Sequence, residues 1–308
     1  MAAIHIGISG WRYTPWRGDF YPKGLPQKRE LQFASRAVNS IEINGSFYAL
    51  QRPERYTQWY DETPAGFVFS VKAPRFITHV KRLRDIHNPM ANFFASGVLE
   101  LKEKLGPILW QFPPNFKFDA ELFESFLEQL PRDTEQAAAL ARQHDAHLRG
   151  PVSVKAYKKK PMRHAVEIRH DSFVDPAFVR LLKRYNVALV FADTAGKWPY
   201  REDVTSDFVY LRLHGAEELY ASGYTPEALK HWGARIDAWH QGKQPGDPHL
   251  IAPRQKPKAR KSREVYCYFD NDIKVHAPYD ARSLLQRFEL DKALATAPGE
   301  LPGEGVLT

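Results

Sequence analysis

The sequence predicts a single (β/α)8 barrel of the TIM type, an α/β fold, with basic insertions in two of its αβ loops. Three observations carry that expectation. Eight short segments alternate apolar and polar residues with the period of two that a strand imposes. Helical patterns stand between most of them, the rhythm of a parallel sheet. The series occupies about 290 of the 308 residues, the span of one such barrel. A doubly wound open sheet is the competing arrangement, but the first βα turn has neither G-x-G-x-x-G nor G-x-x-x-x-G-K.

Taken in order, Ile4, Ile6 and Ile8 alternate with His5, Gly7 and Ser9 to give the first strand. A loop with Trp11, Arg12, Tyr13, Trp16, Phe20 and Tyr21 follows, then a helix over 27–37. S-I-E-I-N at 40–44 is the second strand, and Pro53 suits the first turn of a helix over 52–62. Phe67, Phe69 and Val71 mark the third strand, and a basic loop with Arg75, His79, Lys81, Arg82 and Arg84 leaves it. A helix is expected over 90–105, then the strand P-I-L-W-Q-F at 107–112 and a helix capped by Asp119. An insertion occupies 131–163, with a short helix in its first half.

The fifth strand is A-V-E-I-R-H-D at 165–171, where Val166 and Ile168 alternate with Glu167 and Arg169. Asp175-Pro176 opens the next helix; strands follow at 187–193 and 208–214, and a helix at 225–240. The second insertion, 241–263, leads to the eighth strand at 264–270 and a helix near 281–288. The domain is read as 1–290, with 291–308 a mobile tail that lacks an apolar stripe.

Composition narrows the function. The net charge of +8 resides in two loops: 155–163 carries five positive charges and 254–263 six, neither with an acid, which leaves −3 for the rest. Both loops join a helix to the next strand, which places them at the N-terminal face, away from the expected site. No secretory signal and no membrane-spanning run is visible, and the lone Cys267 reads as a buried structural thiol. A cytoplasmic protein fits these features.

In this fold the apolar strand faces pack on the helices and function sits at the C-terminal strand ends. Strand parity then turns Ser9, Glu42, Asn44, Lys72, Gln111, Glu167, Arg169, Asp193, Arg212, His214, Tyr268 and Asp270 into the barrel mouth. Branched apolar side chains would fill such layers if stability alone were served. Burying acids against bases is at best neutral, so their convergence points to a site. Trp11 and Arg75, on the loops after strands one and three, are expected at its rim. His170 points outward by parity and reads as a helix-facing polar contact.

These strand ends also resemble a known family. G-I-S-G-W (7–11), E-I-N-G-S-F-Y (42–48), S-V-K-A-P (70–74), Q-F-P-P (111–114), V-E-I-R-H (166–170) and Y-L-R-L-H-G (210–215) are similar, in this order, to the YecE-like family, a bacterial domain of unknown function. The resemblance implies a TIM-type barrel and no established activity. Strand eight departs from it, with F-D-N-D where the family reads F-N-N, and the two insertions are longer than its common pattern.

Three functions follow. The first is acid–base or hydrolytic chemistry, of hydrolase, lyase or isomerase type, on a small anionic ligand carrying phosphate or a sugar. Glu167 or Glu42 would be the base, His214 a proton shuttle, Asp193 a further acid, and Lys72, Arg169 and Arg212 would stabilise negative charge. Trp11, Asn44, Arg75, Gln111, Tyr268 and Asp270 would bind the ligand, and no cofactor is required. The second is a metal-dependent phosphodiesterase, isomerase or endonuclease, in which Glu42, Glu167, Asp193, His214 and Asp270 hold a divalent ion. H-x-H, D-x-H and H-E-x-x-H spacings are absent, so no metal ligand is assigned. The third is a non-catalytic binder of nucleotide or nucleic acid. It is less favoured, since the strongest basic runs lie on the opposite face.

Overall fold

Eight parallel strands close on themselves in sequence order in the computed structural model, which describes residues 2–303 and 305–307. They are β1 (Ile4–Ser9), β2 (Ser40–Ile43), β3 (Val68–Lys72), β4 (Leu105–Gln111), β5 (His164–Glu167), β6 (Ala188–Asp193), β7 (Phe208–Leu213) and β8 (Glu264–Phe269). The ring is completed by β8 against β1, from Ile4 opposite Val265 to Ile8 opposite Phe269. Outside lie α1 (Glu30–Ala37), the single turn α2 (Gly45–Tyr48), α3 (Pro53–Glu62), α4 (His87–Ala95), α5 (Ala120–Gln129), α6 (Thr134–Ala141), α7 (Pro176–Tyr185), α8 (Pro226–His240) and α9 (His276–Arg287). The expected (β/α)8 barrel is the fold.

The two strand faces behave as their patterns require. Ile6, Ile8, Ile41, Ile43, Trp110, Val166, Leu211 and Cys267 join the core between strands and helices. Leu109, Ala165, Val190, Tyr210, Tyr266 and Tyr268 form a separate cluster inside the barrel. Helix starts follow local chemistry: Asp119 accepts from the Leu122 amide at 3.1 Å and Asp175 from the Ala177 amide at 2.7 Å. His170 takes a similar role, its Nδ1 accepting from the Ser172 amide at 3.0 Å.

Four features differ from the sequence expectation. The helix expected over 90–105 stops at Ala95, because Gly97 turns the chain at φ +115 before a 3-10 segment, Val98–Lys104. A Cβ there would come 2.5 Å from Pro53 Cα, so only glycine fits. The aromatic loop after β1 is core rather than rim: Trp16, Phe20 and Tyr21 are buried, and Phe20 and Tyr21 pack edge-on against Phe33 of α1.

The second insertion is a wall as well as a loop. No helix joins β6 to β7 among the described residues. The gap is covered by the insertion, whose Ile251 and Ala252 amides donate to Asp203 at 2.7 and 3.0 Å. Its Gln255 reaches the Pro176 carbonyl at the start of α7, so it climbs the barrel rather than staying at the N-terminal face. The first insertion does lie at that face, with Lys160 Nζ on the Leu105 carbonyl and Arg163 paired with Glu264. Finally, the segment expected as a mobile tail makes defined contacts. Thr296 donates to the Arg36 and Phe33 carbonyls, and the Gly299 amide donates to the Phe20 carbonyl.

Candidate functional site

Arg212, on the inner face of β7, is the centre of the barrel mouth and is fully buried. Its Nε and Nη2 donate to Glu42 of β2 at 3.1 and 2.9 Å. Nη1 donates to Glu167 of β5, and Nη2 also to Asp270 just beyond β8, both at 2.7 Å. One guanidinium thus ties four strand ends together. The two carboxylates inside the barrel have further donors: Tyr210 at 2.6 Å and Ser9 on Glu42, Arg169 at 2.7 Å on Glu167. Asn44 reaches the same Ser9 hydroxyl at 3.1 Å, while its own Oδ1 is buried without a partner among the described residues.

Charge follows from this packing. Burial raises the carboxyl pKa values of Glu167 and Asp270, but the cations outweigh it. The charges of Arg169 and Arg212 hold Glu167, and the charge of Arg212 together with the hydrogen bond of His214 holds Asp270, well below the usual carboxylate range. His214 is fully buried with Nδ1 3.0 Å from Asp270 and Nε2 3.3 Å from Arg212 Nη1. Its pKa is lowered, first by burial and then by Arg212, so it is neutral at pH 7.

Lys72 ends β3 beside this ring, 7% exposed, with its Nζ 4.3 Å from the centre of the Phe47 ring. Burial, and then Arg212, bring its pKa down to about 8. Arg169 lies flat on Trp198 at 3.7 Å and donates to Gln111 and to the Tyr220 hydroxyl at 3.1 and 3.3 Å. Tyr220 also meets the His214 ring edge-on at 5.3 Å, so Trp198 and Tyr220 roof the mouth from two loops. Arg75 is exposed at the rim and, with Arg169 and Lys72, adds to the field that lowers His79 to about 4 after burial.

Most of the expected set converges: Glu42, Asn44, Lys72, Gln111, Glu167, Arg169, Arg212, His214 and Asp270. Three residues do not. Asp193 stands outside the ring, accepting from Tyr224 at 2.9 Å, because Ala188, Val190 and Ala192 are the inward face of β6. Trp11 packs edge-on against Trp59 at 5.3 Å in the outer core and lines a lateral cavity of about 300 Å3. Tyr268 lies below the ring, its hydroxyl 2.7 Å from that of Ser40, as barrel filling.

Three members escaped the sequence reading. Tyr210 has the parity of Arg212 and was accessible to that argument. Asp272 lies two residues past Asp270; burial and that neighbour raise it to about 6, and F-D-N-D was its only signal. Tyr220 sits on an irregular loop with no periodicity to place it. A second cavity, about 700 Å3 and lined by Phe47, Tyr48, Leu50, Phe76 and Ile77, lies on the flank between the loops after β2 and β3.

Among the described residues, no group of three His, Cys, Asp or Glu is arranged to hold a metal ion. Arg212 fills the space between the carboxylates that a divalent ion would need. Nor is any helix among them long and apolar enough to cross a membrane.

These features define a (β/α)8 barrel with a buried, charged C-terminal mouth. Residues 5–303 match the family described as "Protein of unknown function DUF72", and the chain belongs to that family. It is 32% identical over 121 residues to the UPF0759 protein YunF of Bacillus subtilis, a match covering 37% of this chain and 41% of that one. With the UPF0759 protein YecE of Escherichia coli O157:H7 it shares 22% identity over 77% of this chain and 82% of the other. The fold is also that of a DUF72 family protein from Thermotoga maritima, with TM-score 0.70 and 24% identity over 93% of this chain and 99% of that one. A DUF72 family protein from Enterococcus faecalis gives TM-score 0.64 at 16% identity, over 93% and 96% of the two chains.

Proposed function

We propose that the barrel mouth binds a small anionic ligand, carrying phosphate or a sugar, and performs acid–base chemistry on it. The observation that carries this reading is a ring with charges left over. Arg212 satisfies Glu42, Glu167 and Asp270, while among the described residues the Lys72 amine beside them makes no hydrogen bond or ion pair and Arg75 stands exposed on the loop after β3. A buried ammonium without an acceptor is costly in a resting protein and useful toward an anion.

The roles divide by protonation. Glu167 and Asp270 are too acidic in this setting to accept protons near neutrality, so they serve as holders of Arg212 and His214. His214 is neutral, with Asp270 fixing its Nδ1 side, as a proton acceptor needs. Asp272, lifted to about 6, is matched to proton donation near neutral pH. Arg169 and Arg75 supply positive charge to the ligand. The metal-dependent reading would need the carboxylates free of Arg212, and the donor set therefore favours the metal-free one.

Thermal melting with inorganic phosphate, sugar phosphates and nucleotides tests this. At least one should raise the melting temperature, and Arg75→Ala, at an exposed position, should weaken its binding by roughly three- to tenfold, the worth of one hydrogen bond of about 0.5–1.5 kcal/mol. Unchanged melting across the panel would overturn the reading.

A further inference from the structure

Lys72 is a charged side chain of the mouth that the ring does not employ. Among the described residues its Nζ makes no ion pair and no hydrogen bond; its one interaction of that kind is with the face of Phe47. Every nearby carboxylate that could have claimed it is already taken by Arg212, through Glu42, Glu167 and Asp270. A lysine placed only to balance charge would be expected to sit on one of them. This one is instead held against an aromatic ring, at the end of a barrel strand, with a second cation close by.

We propose that Lys72 is a nucleophilic amine that captures the carbonyl of a small anionic aldehyde or ketone as an imine. The inference rests on the anion-binding reading above, with Arg169 and Arg75 holding the anionic group and Lys72 meeting the carbonyl carbon. Desolvation beside another cation is one way a protein makes lysine nucleophilic. With its pKa brought to about 8, roughly a tenth of Lys72 is uncharged at pH 7.

The step balances within the site. The Nζ lone pair forms the C–N bond while the carbonyl π pair moves to oxygen, which takes a proton. Loss of the protons on nitrogen and of the oxygen as water then leaves C=N, so amine and carbonyl give imine and one water. The two protons lost from nitrogen are the two that leave with the oxygen, so the step consumes no outside donor.

The test treats the full-length protein with glyoxylate, the smallest anionic aldehyde, and cyanoborohydride at pH 7, and follows every lysine by peptide mapping. Hydride reduces the imine, so the captured residue becomes N-carboxymethyl-lysine. Lys72 should be converted faster than exposed lysines such as Lys28 and Lys292 by roughly tenfold or more, as its larger uncharged fraction requires. Lys72→Arg should abolish that fast site and leave the exposed lysines converted at their wild-type rate. Conversion of Lys72 no faster than the exposed lysines overturns the proposal. If phosphate still stabilises the protein in that case, the imine alone is refuted and anion binding stands. Fast Lys72 without phosphate stabilisation supports the nucleophilic amine but overturns its restriction to anionic carbonyls together with the anion reading; absence of both removes both.

Discussion

Two buried arginines organise this molecule, and they do so differently. Arg235 of α8 closes on Glu202 through Nε at 2.8 Å and through Nη2, and on Asp247 at 2.7 Å through Nη1. Glu202 also receives the Tyr200 hydroxyl and the His249 amide, so the pair is satisfied from all sides and pins the second insertion over the gap between β6 and β7. Arg212 is more deeply buried and is satisfied just as fully. Yet around it stand an unpaired lysine, an orphaned Asn44 oxygen, a neutral histidine and an aspartic acid lifted to about 6. Both networks stabilise the fold. Only the one at the strand ends leaves chemistry unspent, and that separates a structural ion network from a site.

The comparison is broken most directly by Arg212→Met. The substitution leaves Glu42, Glu167 and Asp270 buried without their shared cation. Removing one partner from a buried network costs about 3–5 kcal/mol, so a large drop in unfolding free energy at pH 7 is expected. The sign of its pH dependence follows from the depressed carboxyls of Glu167 and Asp270. Their contribution to wild-type stability is present above the unfolded pKa and is lost as pH falls through the folded values. The gap between wild type and variant should therefore narrow as urea titrations move from pH 7 toward acid. A variant as stable as wild type at pH 7 would show that the ring does not hold the strands together.

Arg235→Met sharpens the contrast from the other side. Glu202 keeps Tyr200 and the His249 amide, so the loss should be about 2–3 kcal/mol, below the full value for an orphaned charge. Phosphate-induced thermal stabilisation should be unchanged, since this network lies on the outer wall. A lost ligand response would mean that the wall and the mouth are coupled.

How much of this could be read in advance depends on whether a strand has two different faces. β7 (F-V-Y-L-R-L) and β5 with its continuation alternate cleanly, so Arg212, His214, Glu167 and Arg169 were placed by parity alone. β6 (A-L-V-F-A-D) is apolar on both faces, so its single acid, Asp193, was given the inward face with nothing to contradict it. The barrel count was secure because it needs only the existence of strands. Loop residues carry no period, and Trp11, Tyr220 and Trp198 were fixed by tertiary packing. The absent helix between β6 and β7 and the insertion that covers the gap are likewise one tertiary fact written in two distant segments.

The smallest expected effect concerns Asp272, and it tests whether the mouth keeps its spare acid at a thermodynamic cost. A carboxyl raised from 3.8 to about 6 favours the folded state while protonated. Its contribution is fully present below the unfolded value and is lost as pH rises through about 6. Asp272→Asn removes that loss, so the variant should gain about 1–2 kcal/mol on wild type between pH 4 and pH 7, the full linkage value discounted for partial exposure. Chemical denaturation of both proteins at the two pH values measures the difference directly. A gain places Asp272 among the groups strained for use, with Lys72. Equal stability at both pH values would put Asp272 in water rather than in the field of Asp270, and the proton donor would have to be sought elsewhere in the mouth.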